Sequence, residues 1–152
     1  MATFSFKPTR GNPDLIAAVK GNPRAAQIGI RQGMWLLGKD LVKDAKRYIL
    51  EKPKSGRTYI SKTKTGRRKK HIASAKGESP ASDTGELWRS LNFLVSGWQR
   101  IIYGASAPYA NFLENEDKLD RPFLRKALIN NRENGKNLLE QEMKRAMEAG
   151  MK

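Results

Sequence analysis

At 152 residues and 17.1 kDa the chain has the length of one domain, and its 38% hydrophobic residues can build one modest core. It has no cysteine and a single histidine, His71, which excludes disulfides, thiolate metal sites and a Cys nucleophile and leaves little for a Ser-His-Asp site. Thirty Lys+Arg against fifteen Asp+Glu give a net charge of +15 and a pI near 10.3, a balance that favours nucleic acid, an anionic membrane or an acidic protein surface.

The alternation Thr3-Phe4-Ser5-Phe6-Lys7 predicts a short strand, followed by turns and the small apolar patch Leu15-Ile16-Ala17-Ala18-Val19. Asn22 and Pro23 have the form of an N-cap and a first helical residue. Along the helix they open, Ile30, Met34, Leu37, Leu41, Ala45 and Tyr48 recur at helical spacing. Pro53 disfavours helical geometry in the residue before it, so the helix is expected to stop near Glu51. Leu37 and Leu41 are expected to pack on strands further along the chain.

Residues 52–76 differ in kind. They hold ten cations (Lys52, Lys54, Arg57, Lys62, Lys64, Arg67, Arg68, Lys69, Lys70 and Lys76) and no acid. Thr58-Tyr59-Ile60 and His71-Ile72-Ala73 read as two strands around a turn at Thr65-Gly66, a basic hairpin that projects from the body. Residues 77–82 read as a loop, and 52–82 together as hairpin and loop within one domain spanning 1–152.

Asp83-Thr84-Gly85-Glu86 has the form of a capping box and predicts a short helix through Leu87, Trp88 and Leu91. Two strands follow, Phe93–Val95 and Gln99–Tyr103, joined at Ser96-Gly97-Trp98. Pro108 introduces a short helix from Tyr109 to Glu114. Arg121-Pro122 begins a last long helix, whose stripe of Leu124, Leu128, Leu138, Met143 and Ala146 is interrupted by Asn131 and Gly135. Strands among helices without regular alternation predict an α+β fold: a long N-terminal helix and a C-terminal helix packed on a small, mainly antiparallel sheet.

Catalytic motifs are imitated but not completed. Gly33-Met-Trp-Leu-Leu-Gly38-Lys39-Asp40 lacks the Ser or Thr a phosphate loop needs after its lysine, and it lies inside an amphipathic helix. Ser61-Lys-Thr-Lys64 and Lys64-Thr65-Gly66 imitate serine-acylase motifs but overlap on one basic run. Glu114, Glu116, Asp117 and Asp120 form the one acidic cluster, which reads as a solvated loop or a dock for a basic arm. His71, beside Lys69 and Lys70, has no evident carboxylate to orient it. No enzyme, cofactor or metal site is expected. No apolar run approaches the roughly 18 residues of a membrane span, so no membrane partner is expected. MATFSFKPTRGNP also lacks the apolar core of a secretory signal.

Three phrases in order resemble one family. They are Lys54-Ser-Gly-Arg-Thr-Tyr59; His71-Ile-Ala-Ser-Ala75 with Gly77-Glu-Ser-Pro-Ala-Ser-Asp-Thr-Gly-Glu-Leu87; and Ala107-Pro-Tyr-Ala-Asn-Phe-Leu-Glu114 with Arg121-Pro-Phe-Leu-Arg-Lys-Ala-Leu128. Over roughly residues 12–130 the chain resembles the tailed-bacteriophage neck proteins, the head–tail joining or tail-completion components. The resemblance implies a non-enzymatic virion protein, assembled in the bacterial host cytoplasm, that forms a ring between head and tail. A hexamer is the favoured copy number and a dodecamer the other. Its implied partners are further copies of itself, the adjacent connector and tail-tube proteins, and genomic DNA passing through the channel. Where the family commonly continues with a Gly-Thr turn, this chain has Asn115-Glu116-Asp117-Lys118.

Two sets of residues follow as candidates. Arg57, Lys62, Lys64, Arg67, Arg68, Lys69 and Lys70 would contact a partner or DNA. Tyr109, Phe112, Glu114, Glu116, Asp117, Arg121, Phe123 and Arg125 would form subunit interfaces. A different class of function, a stand-alone non-specific nucleic-acid binder using residues 52–76, rests on the same cations. Tyr59 is the sole aromatic in that segment, which supports base stacking poorly.

Overall fold

A computed structural model describes residues 2–5, 20–51, 53–63, 65–116 and 119–150. The patch at Leu15–Val19, Phe6 and Lys7 of the first strand, and the candidate residues Lys64 and Asp117 lie outside the described residues.

The long helix α1 runs Pro23–Leu50, and the Asn22 side chain accepts the Ala25 backbone N–H at 3.1 Å. That bond satisfies one of the orphan amides of the first turn, while Pro23 has no amide to orphan. Ile30, Met34, Leu37, Leu41, Ala45 and Tyr48 are all buried, as their spacing predicts. Trp35 stays 45% exposed, with the Lys39 ammonium 4.6 Å from its ring centre.

Strand β1 (Ala2–Ser5) pairs antiparallel with β5 (Arg100–Ala105), which pairs antiparallel with β4 (Leu91–Ser96), in the order β1-β5-β4. A second, two-stranded sheet joins β2 (Thr58–Lys62) to β3 (Arg68–Ile72). The α+β class therefore holds. Leu91, Phe93, Val95, Ile101 and Tyr103 turn one face of the larger sheet toward α1, while Asn92, Leu94 and Ser96 look away. Gly97, at φ +69°, makes the β4–β5 turn.

Several boundaries differ from expectation, each for a local reason. The helix after the apparent capping box, α2, is only Glu86–Arg89, and its N-cap is Gly85 at φ +82°. Asp83 does not cap it, because its carboxylate is held by Lys69. The next helix, α3, is Ala110–Asn115. The last helix divides at Asn131 into α4 (Leu124–Asn130) and α5 (Arg132–Ala149). Asn131 is buried and its amide donates to Asp44 at 2.6 Å and to the Ala127 carbonyl at 2.9 Å.

The buried stripe of α5 is Gly135, Leu139, Met143 and Met147, one residue out of phase with the predicted Leu138 and Ala146. Glycine governs this helix pair. A Cβ on Gly29 would lie 2.5 Å from the Glu142 carbonyl oxygen and from the Met143 Cα, and one on Gly33 2.9 Å from the Leu139 Cα. The two backbones approach too closely for any side chain there. Gly135 in turn leaves room for Leu37, so Leu37 faces α5, where packing on the strands was expected. Gly38 accommodates the Phe93 ring, which accounts for the glycines that mimic a phosphate loop.

Candidate functional site

The three phrases of the resemblance, far apart in sequence, interlock in space. Glu114, 7% exposed, is the centre of the junction. Its carboxylate accepts the backbone N–H groups of Phe123 (2.9 Å), Leu124 (3.0 Å) and Arg125 (2.8 Å). Helix α4 starts with Phe123 at its N-cap, a residue with no side-chain acceptor, so a remote carboxylate supplies what a Ser or Asp would supply locally. The negative charge also suits the positive end of the helix dipole. Around this centre, the Gly77 amide donates to the Asp120 carbonyl, the Ser79 hydroxyl to the Pro122 carbonyl and the Arg121 amide to the Leu113 carbonyl, at 2.7, 2.7 and 3.2 Å. The Tyr103 hydroxyl donates to the Leu124 carbonyl at 3.0 Å, and burial pushes its pKa up.

Two of the interface candidates are thereby corrected. Glu114 belongs to the interior as a helix cap, and Phe123 is fully buried in the core. Tyr109 and Phe112 are 39% and 55% exposed, and Arg125 is exposed and paired with Asp120 at 3.5 Å. Glu116 and Arg121 are half-buried. The Arg121 Nε and the hydroxyl of the buried Ser74 have no hydrogen-bond partner among the described residues.

The hairpin brings the other set together. Every described residue from Arg57 to Lys70 is exposed. The tip closes through the Thr63 amide donating to the Arg67 carbonyl at 2.8 Å, with Gly66 at φ +77°. Register sorts the cations onto two faces. Thr58, Ile60, Lys62, Arg68, Lys70 and Ile72 share one face; Tyr59, Ser61, Lys69 and His71 share the other. The second face turns to the body, where Lys69 Nζ bonds Asp83 at 2.6 Å and His71 Nδ1 lies 3.9 Å from the same carboxylate. The lysine holds the Asp83 carboxyl below its ordinary range. His71 thus has the neighbouring carboxylate its sequence context did not suggest. The run Arg67–Lys70 is not one patch, because Lys69 is turned away from Arg68 and Lys70.

Glu78 ties the hairpin base. It accepts the Ser55 hydroxyl and amide and the Ala75 amide, and these bonds depress its pKa from 4.5 to about 2. Lys54, its pKa lowered by burial, donates to the Tyr48 carbonyl at 2.9 Å near the end of α1. Composition alone does not mark Glu78 and Asp83 as the acids that hold the hairpin. Their signal was their position as the isolated acids that follow a long acid-free basic run.

Two shallow recesses flank the junction. One of about 350 Å³ lies between the hairpin base and the body and includes His71, Ser74, Asp83, Glu86, Tyr109 and Arg121. The other, about 260 Å³, is lined largely by Ala105, Ala107, Ala110, Leu124 and Leu128, with Glu114 and Arg125 at its polar side. Among the described residues no group of three or more His, Asp or Glu is placed to hold a metal ion. No helix among them is long and apolar enough to cross a membrane. Compared with family models, curated proteins and solved structures, the chain matches none.

Proposed function

We propose that this chain is a non-enzymatic structural subunit that assembles into a ring in the neck of a tailed bacteriophage, between head and tail, with DNA passing through its channel. The observation that carries this reading is the hairpin. Its cations other than Lys69 have no ion pair among the described residues, its aliphatic and aromatic side chains Tyr59, Ile60 and Ile72 are exposed, and it adds nothing to the hydrophobic core. Such an element is of use only against something outside the subunit. The interlocked junction supports the same reading, because the phrases that resemble neck proteins are the ones that build it. A ring of subunits at +15 each would also surround its channel with a strong positive field.

A second reading has its own support. Lys62 stands directly opposite Arg68 across the hairpin, a like-charge pair that destabilises a sheet unless an anion offsets it. A phosphate backbone would do so in a stand-alone nucleic-acid binder. Electron microscopy and mass measurement of the purified protein separate the two. The neck reading expects closed rings of one size. A monomer that shifts duplex DNA with a steep salt dependence would replace it with the second reading.

A further inference from the structure

Resting on the ring reading, we propose that the outward face of the hairpin docks on a ridge of aromatic and carboxylate side chains of the next copy. The outward face carries Ile72 at the base, Ile60 directly opposite Lys70 in the middle, and Lys62 opposite Arg68 toward the tip. Ile60 is 70% exposed, the most exposed large apolar side chain among the described residues. The ridge is built by Tyr109 at the N-cap of α3, Phe112 within it and Glu116 at its C-cap, three and four residues apart, with Glu86 beside the Tyr109 hydroxyl. Glu86 and Glu116 have no ion pair among the described residues.

The chemistry of the two surfaces is complementary. Aliphatic side chains meet exposed aromatic rings, and cations meet both carboxylates and the faces of those rings. The exposed rings of Tyr109 and Phe112 suit Ile60 and Ile72, whereas a phosphate backbone offers them nothing. The two surfaces also look in different directions. The inward face of the hairpin is turned to Asp83, on the same recess that Glu86 and Tyr109 line. The outward face is therefore turned away from its own subunit's ridge. The contact can form only between copies, and it joins unlike patches, which is the arrangement that closes rings.

The test uses three full-length proteins and their sizes by light scattering: wild type, the hairpin variant Lys62→Glu/Arg68→Glu/Lys70→Glu, and the ridge variant Glu86→Lys/Glu116→Lys. All five positions are exposed or half-buried, and circular dichroism checks that each variant folds. The expected result is a ring for wild type, a monomer for each variant alone, and a larger species when the two variants are mixed. Mixing restores the contact because the ridge of one variant and the hairpin of the other are unaltered. A ring retained by either variant, or a mixture that stays monomeric, overturns the docking while the wild-type ring stands. A hairpin variant that keeps its ring but no longer shifts duplex DNA reassigns the face to phosphate. A wild type that is monomeric at every concentration ends the ring reading and the docking together.

Discussion

In the body, Leu41, Ala45, Ile101, Phe123 and Ala127 are wholly buried, and Glu114, the one buried carboxylate among the described residues, meets three amide donors. In the hairpin, every described residue from Arg57 to Lys70 is exposed, and a single one of the described lysines and arginines there, Lys69, forms an ion pair. Both regions are held by carboxylates, yet with opposite consequences. Glu114 is shielded from water and cannot be replaced by solvent, so it is structural. Asp83 and Glu78 lie at the surface, where water competes for the same hydrogen bonds, so they orient the hairpin and contribute little to stability. The body is built to satisfy itself, and the hairpin to be satisfied by a partner.

That contrast orders the expected effects of substitution. Glu114→Ala should be the most damaging single change, costing at least about 3 kcal/mol, since two buried amides and one part-buried amide would each lose an acceptor. Denaturant unfolding checks it, and a loss below 1 kcal/mol (the scale of an exposed ion pair) would make Glu114 resemble the hairpin carboxylates. Leu41→Ala, at a fully buried position on α1, should cost about 2–5 kcal/mol. An unchanged melting temperature would contradict its placement. Gly29→Ala should cost about 1–3 kcal/mol, because its Cβ would meet backbone atoms of α5 and force the helices apart. A neutral result, by the same unfolding measurement, would mean that the helices are not so closely packed.

The hairpin base should respond to pH instead. Glu78 has a folded pKa depressed to about 2 from an ordinary 4.5, so the stability its bonds contribute is fully present above 4.5 and is lost as the pH falls through about 2, while the bonds themselves persist in the folded chain until the carboxylate protonates near 2. In an NMR titration the Ser55 and Ala75 amide signals should move with a midpoint near 2; a midpoint near 4.5 would show that those bonds do not form in solution.

The sequence made some of this legible and hid the rest for physical reasons. Asn22-Pro23 and the stripe from Ile30 to Tyr48 announce α1, because capping and burial both act within that one segment. The hairpin and the β4–β5 pair are readable from their turns at Gly66 and Gly97. The phase of α5 was hidden, since Leu138 and Leu139 are equally apolar and only Gly29 and Gly33 on α1 select Leu139. Glu114 was hidden among Glu116, Asp117 and Asp120, where composition suggests a solvated loop. The clue lay elsewhere, in a helix start at Phe123 with no local cap and therefore a need for a distant acceptor. Asp83 looked like that kind of cap and instead serves the hairpin, because Lys69 is a stronger partner than a backbone amide. Whether the hairpin projects as a free arm depends on how its two faces are used, and residue order alone does not assign them.

The body is complete without the hairpin. Replacing residues 60–70 by an Asn-Gly turn keeps the Glu78 and Asp83 carboxylates and the Tyr59–His71 pair while removing Lys69 and the outward cations. The melting temperature of this shortened chain, measured where wild type is monomeric, should equal that of wild type. A fall as large as that caused by Leu41→Ala would show instead that the hairpin is part of what holds the subunit together.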